Sequence, residues 1–224
     1  MQAGQLCAPR DDLYKNGSKY ACTRRNNSVF LQIWNNDTTQ IRLERSTFEE
    51  SSITEIPDGA FQDLTQLQYL NLQYNRLTYI SDNALQGLSI LENLYLGQNQ
   101  ITSIATGAFK DLVRVVTLSL NSNQISAIHY MTFHYQRGTL ESLYLQENNI
   151  TRFTNGVFYR YSRLQMLNLD NNDLRVLAQN LFRFDYKLTT LSLDHNPLEG
   201  CVLNPTTRLL SCSNCSVLDA QVYE

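Results

Sequence analysis

Few side chains of this chain have the types and spacing that catalysis requires. The histidines are His129, His134 and His195, and the spacing places no serine or cysteine nucleophile beside the first two. Asp170 and Asp194 stand 24 residues apart and could form a carboxylate pair on neighbouring strands. A solvated acidic edge explains this pair better, because no pocket with convergent polar groups is implied. We therefore predict that the protein is not an enzyme.

The five cysteines all lie near the ends of the chain. They are Cys7, Cys22, Cys201, Cys212 and Cys215. This distribution predicts disulfide bonds that staple two terminal caps, and hence an oxidising compartment. We expect Cys7 to pair with Cys22 and Cys201 to pair with Cys212, which leaves Cys215 as the odd thiol.

A metal site is the alternative use of the C-terminal cysteines. His195, Cys201, Cys212 and Cys215 could supply four ligands. A CxxC pair alone is weak evidence, however, and the other cap carries a cysteine pair too. We therefore predict no metal and no other cofactor.

Glycosylation signals support a secreted or extracellular cell-surface location. The candidate sites are Asn16, Asn26, Asn36, Asn149 and Asn214. No apolar run approaches the roughly 20 residues of a membrane span. The start, "MQAGQLC", is too short and too polar for a secretion signal, so we expect a secreted form to have lost its signal. A net charge of −3 gives no support to a nucleic-acid partner, which usually meets a basic face.

A phrase of the form LxxLxLxxNxL recurs six times and organises the chain. Its fixed asparagines are Asn75, Asn99, Asn123, Asn148, Asn172 and Asn196. Successive asparagines are 24 residues apart, except for one step of 25, and a regular period in this range predicts a solenoid. In LxL the leucines alternate with other residues, as in a strand with one buried face. One such strand per coil predicts a parallel sheet.

The repeated asparagines are predicted to be structural. After each strand the chain bends, and its backbone groups leave the sheet and need new partners. An inward Asn side chain both donates and accepts, so a column of asparagines can bond the bent backbone of adjacent coils. We therefore expect these side chains to be buried rather than to bind a ligand directly.

The second half of each coil carries an apolar spine. Its first column is Ile56, Ile80, Ile104, Ile128, Phe153 and Leu177, and its second is Phe61, Leu85, Phe109, Phe133, Phe158 and Phe182. Two residues before the second column lie Gly59, Asn83, Gly107, Met131, Gly156 and Asn180. We expect a left-handed bend there, because Gly and Asn take positive φ most easily. Met131 is the exception, in the coil with the extra residue, and we expect that coil to follow a different path on its back.

The stretches "LTQLQYLNLQYNRLTYISDNALQGL" and "ITEIPDGAF" resemble the extracellular leucine-rich repeats of vertebrates and their relatives. They resemble in particular the variable lymphocyte receptors of jawless vertebrates and related repeat-only immune receptors. The resemblance implies an α/β-type repeat solenoid: a leucine-rich repeat horseshoe with a concave parallel β-sheet, an irregular convex side and disulfide-stapled caps. We predict an N-terminal cap at 1–52, repeats of about 24 residues at 53–200 and a C-terminal cap at 201–224.

Polar and tyrosine side chains fill the face that the sheet is expected to expose. The candidate ligand-binding residues are Tyr69, Asn71, Gln73, Tyr74, Asn93, Tyr95, Ser119, Asn121, Tyr144, Gln146, Asn168, Asp170 and Asp194. Tyr, Ser and Asn dominate antibody-like binding surfaces, where Tyr supplies rigid area and small polar residues supply adaptable hydrogen bonds. A soluble face without a partner is the alternative. Two further tyrosines, Tyr159 and Tyr161, are expected to lie off the sheet and to have no role in binding.

These patterns predict non-enzymatic recognition of a protein or carbohydrate ligand through the concave face. The resemblance implies an innate or lymphocyte-receptor-like immune receptor. The alternative is a cell-adhesion or extracellular-matrix module that binds a host partner. Charge grades along the face from Arg42 and Arg45 to Glu147, Asp170 and Asp194, which could orient a ligand.

Overall fold

The computed structural model describes residues 20–25, 28–33, 39–42, 53–154, 156–177, 181, 187–199, 201–203 and 210–212. Within these residues the chain forms short strands joined by turns, with one 3-10 helix at His134–Gln136 and no α-helix. The strands are β1 (Tyr20–Arg25), β2 (Ser28–Ile33), β3 (Gln40–Arg42), β4 (Tyr69–Asn71), β5 (Tyr79–Ile80), β6 (Asn93–Tyr95), β7 (Ser103–Ile104), β8 (Thr117–Ser119), β9 (Ala127–Ile128), β10 (Ser142–Tyr144), β11 (Arg152–Phe153), β12 (Met166–Asn168), β13 (Thr190–Ser192), β14 (Cys201–Leu203) and β15 (Leu210–Cys212).

One parallel sheet of seven strands runs through the solenoid. Its strands are β3, β4, β6, β8, β10, β12 and β13, in chain order across the sheet. Consecutive strands pair in register, so that Leu94 lies between Leu70 and Leu118. The intervening chain coils back to the start of the next strand, which parallel pairing requires. The predicted solenoid with one strand per coil is confirmed, with about five turns.

Shorter pairings flank this sheet. The strand β1 pairs with β2, and β14 with β15, both antiparallel. On the back of the coils, β5 pairs with β7 and β9 with β11, both parallel and two residues long. Parallel order therefore extends past the Asn-bearing bend into the apolar spine.

The predicted asparagine ladder is confirmed, and Asn123 shows its geometry. Its Oδ1 accepts from the N–H of Ile101 at 2.9 Å, in the previous coil. Its Nδ2 donates to the carbonyls of Leu96 and Leu120, both at 3.0 Å. Asn99, Asn148 and Asn172 repeat these contacts while 92% or more buried. Each amide thus joins two coils, since it serves backbone groups that the sheet leaves unpaired.

The apolar spine is also confirmed for its described members. Phe61, Phe109, Phe133 and Phe158 are at most 1% exposed. The rings of Phe109 and Phe133 stack with centroids 5.8 Å apart. Phe182, the last predicted member, lies outside the described residues.

The predicted left-handed bend before the spine is only partly correct. Gly59 and Gly156 have φ of 71° and 79°, whereas Asn83 and Gly107 do not take positive φ. At Gly107 the constraint is space, because an added Cβ would lie 2.7 Å from Oδ1 of Asp82, which accepts the Gly107 N–H. The Asn83 side chain instead bonds both neighbouring coils: it donates to Asp58 in the preceding coil and accepts from Lys110 in the following one. Asn180 lies outside the described residues.

A regular left-handed position lies on the front of the coil, one residue before each ladder asparagine. Its residues, with φ between 52° and 58°, are Tyr74, Gln98, Ser122, Glu147, Asn171 and His195. None is glycine, although this conformation usually disfavours other residues. The ladder bonds fix the backbone on both sides, so the surrounding structure imposes the conformation.

The coil with the extra residue does follow a different path on its back. The 3-10 helix His134–Gln136 lies there, and Gln136 takes the buried position that Leu64, Leu88 and Leu112 hold in earlier coils. The Nε2 of Gln136 donates to the carbonyls of Phe109 at 2.7 Å and Leu112 at 3.1 Å. A buried amide therefore ties this coil to the preceding one.

Candidate ligand-binding face

The parallel register brings the predicted binding residues onto one face of the sheet. In each strand the middle leucine is buried and its two neighbours point to the other side, as strand geometry requires. In adjacent strands Tyr95 lies beside Ser119, and Ser119 beside Tyr144. We call this surface, made of the outward strand residues and the loop residues that follow them, the concave face.

Tyrosines concentrate in the first half of the concave face. The rings of Tyr69 and Tyr95 lie 5.3 Å apart and are tilted by 41°. Tyr74, in the left-handed position, is 50% exposed and is the most exposed aromatic residue of the face. Tyr144 stands alone in the second half, two strands from Tyr95.

Two predicted binding residues offer almost no surface. Asn71 is 3% exposed and Ser119 is 4% exposed. Asn71 Oδ1 accepts the N–H of Gln73 at 2.9 Å, and the Ser119 hydroxyl donates to Asn121 Oδ1 at 2.6 Å. In the adjacent strands, Ser119 lies between Tyr95 and Tyr144, and Asn71 lies beside Tyr95. Both short side chains support the face rather than form its contact surface, which corrects their place in the predicted set.

A hydrogen-bonded network crosses the middle of the concave face. The Ser122 hydroxyl donates to Glu147 Oε2 at 2.6 Å and accepts from Gln98 Nε2 at 2.8 Å. Asn121 Nδ2 also donates to the Ser122 hydroxyl, at 3.0 Å. Gly97 makes room for this network, because a Cβ at this position would overlap Asn121 Oδ1. The network holds polar groups of three coils in a fixed arrangement.

Carboxylates occupy the far end of the concave face. Asp170 accepts from the Ser192 hydroxyl at 2.8 Å and from the N–H of Asp194 at 2.7 Å. The Asp170 carboxylate therefore bonds a side chain and the backbone of the next coil. In the part of the chain that the structure describes, no three His, Cys, Asp or Glu side chains form a cluster able to hold a metal.

The sequence of the repeats now identifies the fold family. The pattern of the family described as Leucine rich repeat matches residues 48–101, 90–135 and 138–198, which is more than half of the chain. The chain belongs to the leucine-rich repeat family.

Two solved structures are similar to this leucine-rich repeat protein. One is the TLR13–ssRNA13 complex, with 29% sequence identity and a TM-score of 0.63. Another is the octameric complex of Latrophilin 3, Unc5D and the LRR part of FLRT2, with 28% identity and a TM-score of 0.56. Each match covers 66% of this chain, but only 21% of the matched chain in the first case and 52% in the second. Among curated protein sequences, none matches this one.

The prediction that binding involves no nucleic acid gains no support from these neighbours, because one of them is an RNA complex. Both complexes are assemblies of a repeat protein with a macromolecular partner, which agrees with a binding role for this family. None of the described residues belongs to a helix with the length and hydropathy of a membrane span.

Sequence reasoning left part of the concave face out of the predicted binding set and misjudged one control residue. Gln98, Ser122 and Glu147 were left out of the predicted site, although their place before a ladder asparagine marks them. Tyr161 does lie off the sheet, but it is fully buried, and its hydroxyl donates to the Phe133 carbonyl at 2.8 Å. Tyr161 is therefore a core residue.

The predicted modification sites are only partly within the described residues. Asn149 is exposed, whereas Asn16, Asn26, Asn36 and Asn214 lie outside the described residues. Cys201 stands opposite Cys212 in the β14–β15 pair. Cys7, Cys215 and Arg45 also lie outside the described residues.

Proposed function

We propose that this leucine-rich repeat protein recognises a protein or glycan ligand through its concave face, as an immune-type receptor. The observation that carries the proposal is the combination of partly exposed tyrosines with a fixed polar network on one face. Rigid aromatic groups provide binding energy at a low entropic cost, and neighbouring polar groups provide orientation. The ligand would meet a surface that is already organised.

Charge on the concave face favours a protein or glycan ligand over a nucleic acid. Between Tyr69 and His195, the residues of the concave face include the carboxylates of Glu147, Asp170 and Asp194 but no Lys or Arg. Nucleic-acid binding relies on cations that neutralise phosphates. A ligand that places Lys or Arg side chains at the acidic end would complement this face.

Adhesion is the second candidate function. The supporting observation is the likeness to the complex of FLRT2 with Latrophilin 3 and Unc5D, in which the matched chain is covered by 52%. In that reading the same tyrosines would contact a host protein. The two functions use one surface and differ in the origin of the ligand.

We also propose a secreted or cell-surface protein with stapled caps. Residues directly opposite in an antiparallel pair have Cα atoms about 4.5–5.5 Å apart, a separation that a disulfide can bridge. The backbone register of Cys201 and Cys212 therefore supports a bond between them. Exposure of Asn149, next to the buried Asn148, supports its use as a glycosylation site.

A binding screen followed by paired variants tests the proposed surface. The chain would be screened against whole microbes, purified glycans and host-cell surfaces. For any ligand found, Tyr95→Ala combined with Tyr144→Ala should weaken binding roughly a hundredfold, because a few central aromatic groups dominate an interface. Binding would be measured by biolayer interferometry, with the melting temperature as the check on folding.

The matched control replaces two tyrosines elsewhere on the molecule. Tyr79 and Tyr135 are each 48% exposed and lie outside the concave face. The Tyr79→Ala, Tyr135→Ala variant should bind like the parent. A ligand that needs this control pair but tolerates loss of Tyr95 and Tyr144 would place the binding surface on the flank or back and refute the proposal.

A further inference from the structure

Cations collect on one flank of the solenoid, away from the concave face. This ascending flank is the part of each later coil that leads from the spine back to the sheet. Its described residues are 110–114, 134–141, 159–163 and Lys187. They carry six cations against two carboxylates, namely Lys110, Arg114, Arg137, Arg160, Arg163 and Lys187 against Asp111 and Glu141.

The coil register stacks these cations close together. Arg114, Arg163 and Lys187 each stand two residues before an amide that bonds to the previous coil, so they share one column. Adjacent coils are about 4.8 Å apart, which places Lys187 roughly 5 Å and Arg114 roughly 10 Å from Arg163 along the backbone column. The N–H of Ser162 donates to the Arg137 carbonyl at 3.1 Å and brings a further cation to the same place.

The carboxylates of the flank do not neutralise it. Asp111 already accepts the N–H of Gly87 at 3.1 Å. Glu141 forms an ion pair with Arg163, at 3.5 Å between Oε1 and Nε, but the arginine side chain stays 54% exposed. Exposed pairs of this kind are weak and are easily exchanged for another anion. Arg114, Arg160 and Lys187 are exposed as well.

We propose that the ascending flank binds a sulfated polysaccharide. Guanidinium groups match oxyanions with two parallel hydrogen bonds, and a row of them fits a chain of repeated sulfates. The whole chain has a net charge of −3, so attraction to a polyanion needs a local excess of cations such as the one on this flank. Three acids of the same coils, Glu147, Asp170 and Asp194, lie on the concave face and not on the flank.

Aromatic groups on the flank favour a sulfated glycan over a single-stranded nucleic acid. Stacking of bases needs free aromatic faces. The Arg160 guanidinium lies over the Tyr159 ring, 5.1 Å from its centroid. Tyr135, which contacts His134 edge-on with centroids 5.3 Å apart, is 48% exposed and could stack a single base. Charge rather than stacking therefore dominates this surface.

The test compares two triple variants that remove the same charge from opposite flanks. The first variant is Arg114→Ser, Arg163→Ser, Lys187→Ser. The control is Arg76→Ser, Arg152→Ser, Arg175→Ser, which removes three exposed arginines from the descending side, the part of each coil that leads from the sheet to the spine. Binding of the full chain to immobilised heparin would be measured at several salt concentrations. The first variant should lose affinity roughly tenfold or more and show a shallower salt dependence, because fewer counterions are displaced.

The control variant should stay within about twofold of the parent, and desulfated heparin should not bind. Equal losses in the two triple variants, or equal binding of desulfated heparin, would refute the flank as a sulfate site. Tighter binding of poly(U) than of heparin at the same salt would assign the flank to a nucleic acid instead. If the first triple variant melts early, Arg114→Ser with Lys187→Ser keeps the Arg163–Glu141 pair and should still lose most of the affinity.

Discussion

The front and the back of each coil pair their backbone N–H and C=O groups in different ways. On the front, Asn99, Asn123, Asn148 and Asn172 make nearly identical bonds to their own and the previous coil. On the back, amides bond mostly within their own coil, as when the N–H of Leu112 donates to the Phe109 carbonyl at 3.1 Å. An asparagine whose side chain bonds two coils at once cannot be replaced without losing those bonds. A turn whose amides bond within their own coil can accept other side chains.

The back accordingly shows the variation that the front lacks. Gln136 replaces a leucine, and a 3-10 helix replaces the usual turn. Buried polar side chains are less well paired on the back. In the described part, four of their buried atoms have no hydrogen-bond partner: Gln136 Oε1, Arg137 Nε, Thr139 Oγ1 and His134 Nδ1. The comparison predicts that replacing a buried polar side chain lowers stability more on the front than on the back.

The largest effect is expected at the ladder. Asn148→Leu removes the side-chain oxygen that accepts the Ile125 N–H at 3.0 Å in a buried site. The carbonyls of Leu120 and Leu145 keep their bonds from Asn123 and Asn172. The variant should lose roughly 2 kcal/mol of unfolding free energy, the typical cost of one unsatisfied buried donor with lost bonds. Chemical denaturation would measure it.

The exposed neighbour provides the control for the ladder. Asn149→Leu, prepared without glycosylation, should stay within about 0.5 kcal/mol of the parent, as surface substitutions usually do. Equal stabilities of the two variants would show that the ladder does not support the front.

A smaller effect is expected on the back. Gln136→Leu restores the residue type of the earlier coils and removes the unpartnered Oε1. The carbonyls of Phe109 and Leu112 keep backbone donors, from Leu112 and Val115. Unfolding free energy should change by less than about 1 kcal/mol, because no buried group loses its last partner. A loss as large as that of Asn148→Leu would remove the distinction between front and back.

The smallest effect concerns pH. Burial of the ring lowers the pKa of His134 below its ordinary value of 6.5, and the positive charge of Arg137 lowers it further. The unfolded chain then binds the proton first as pH falls, so stability is complete above about pH 6.5 and declines just below it. Melting curves at pH 7.5 and 5.5 should show a smaller decline for His134→Gln than for the parent. Identical declines would mean that His134 is not perturbed by the fold.

The positions of the candidate residues follow from the geometry of the strands, whereas their exposure depends on packing. Six of the thirteen candidate residues lie in the loops that follow the strands. Alternation placed the other seven on one face, because successive side chains of a strand point to opposite sides. It could not show that Ser119 lies covered between Tyr95 and Tyr144, since the covering rings come from coils about 24 residues away. Exposure depends on such neighbours, and a single coil does not contain them.

The sequence by itself determined the solenoid, the parallel sheet and the ladder. These features repeat in every coil, because the Asn at each bend bonds backbone groups that the sheet leaves unpaired in the same way each time. The sequence period alone therefore predicts these features, without knowledge of the contacts between coils.

Only the tertiary structure decided the left-handed residues, the core position of Tyr161 and the separation of charge between concave face and flank. Gln98 and Glu147 take positive φ because ladder bonds constrain the chain on both sides of them, not because of their own preference. Tyr161 can be buried because its hydroxyl donates to the Phe133 carbonyl of the preceding coil. Each outcome depends on contacts between coils, which the order of residues specifies only once the coils are stacked.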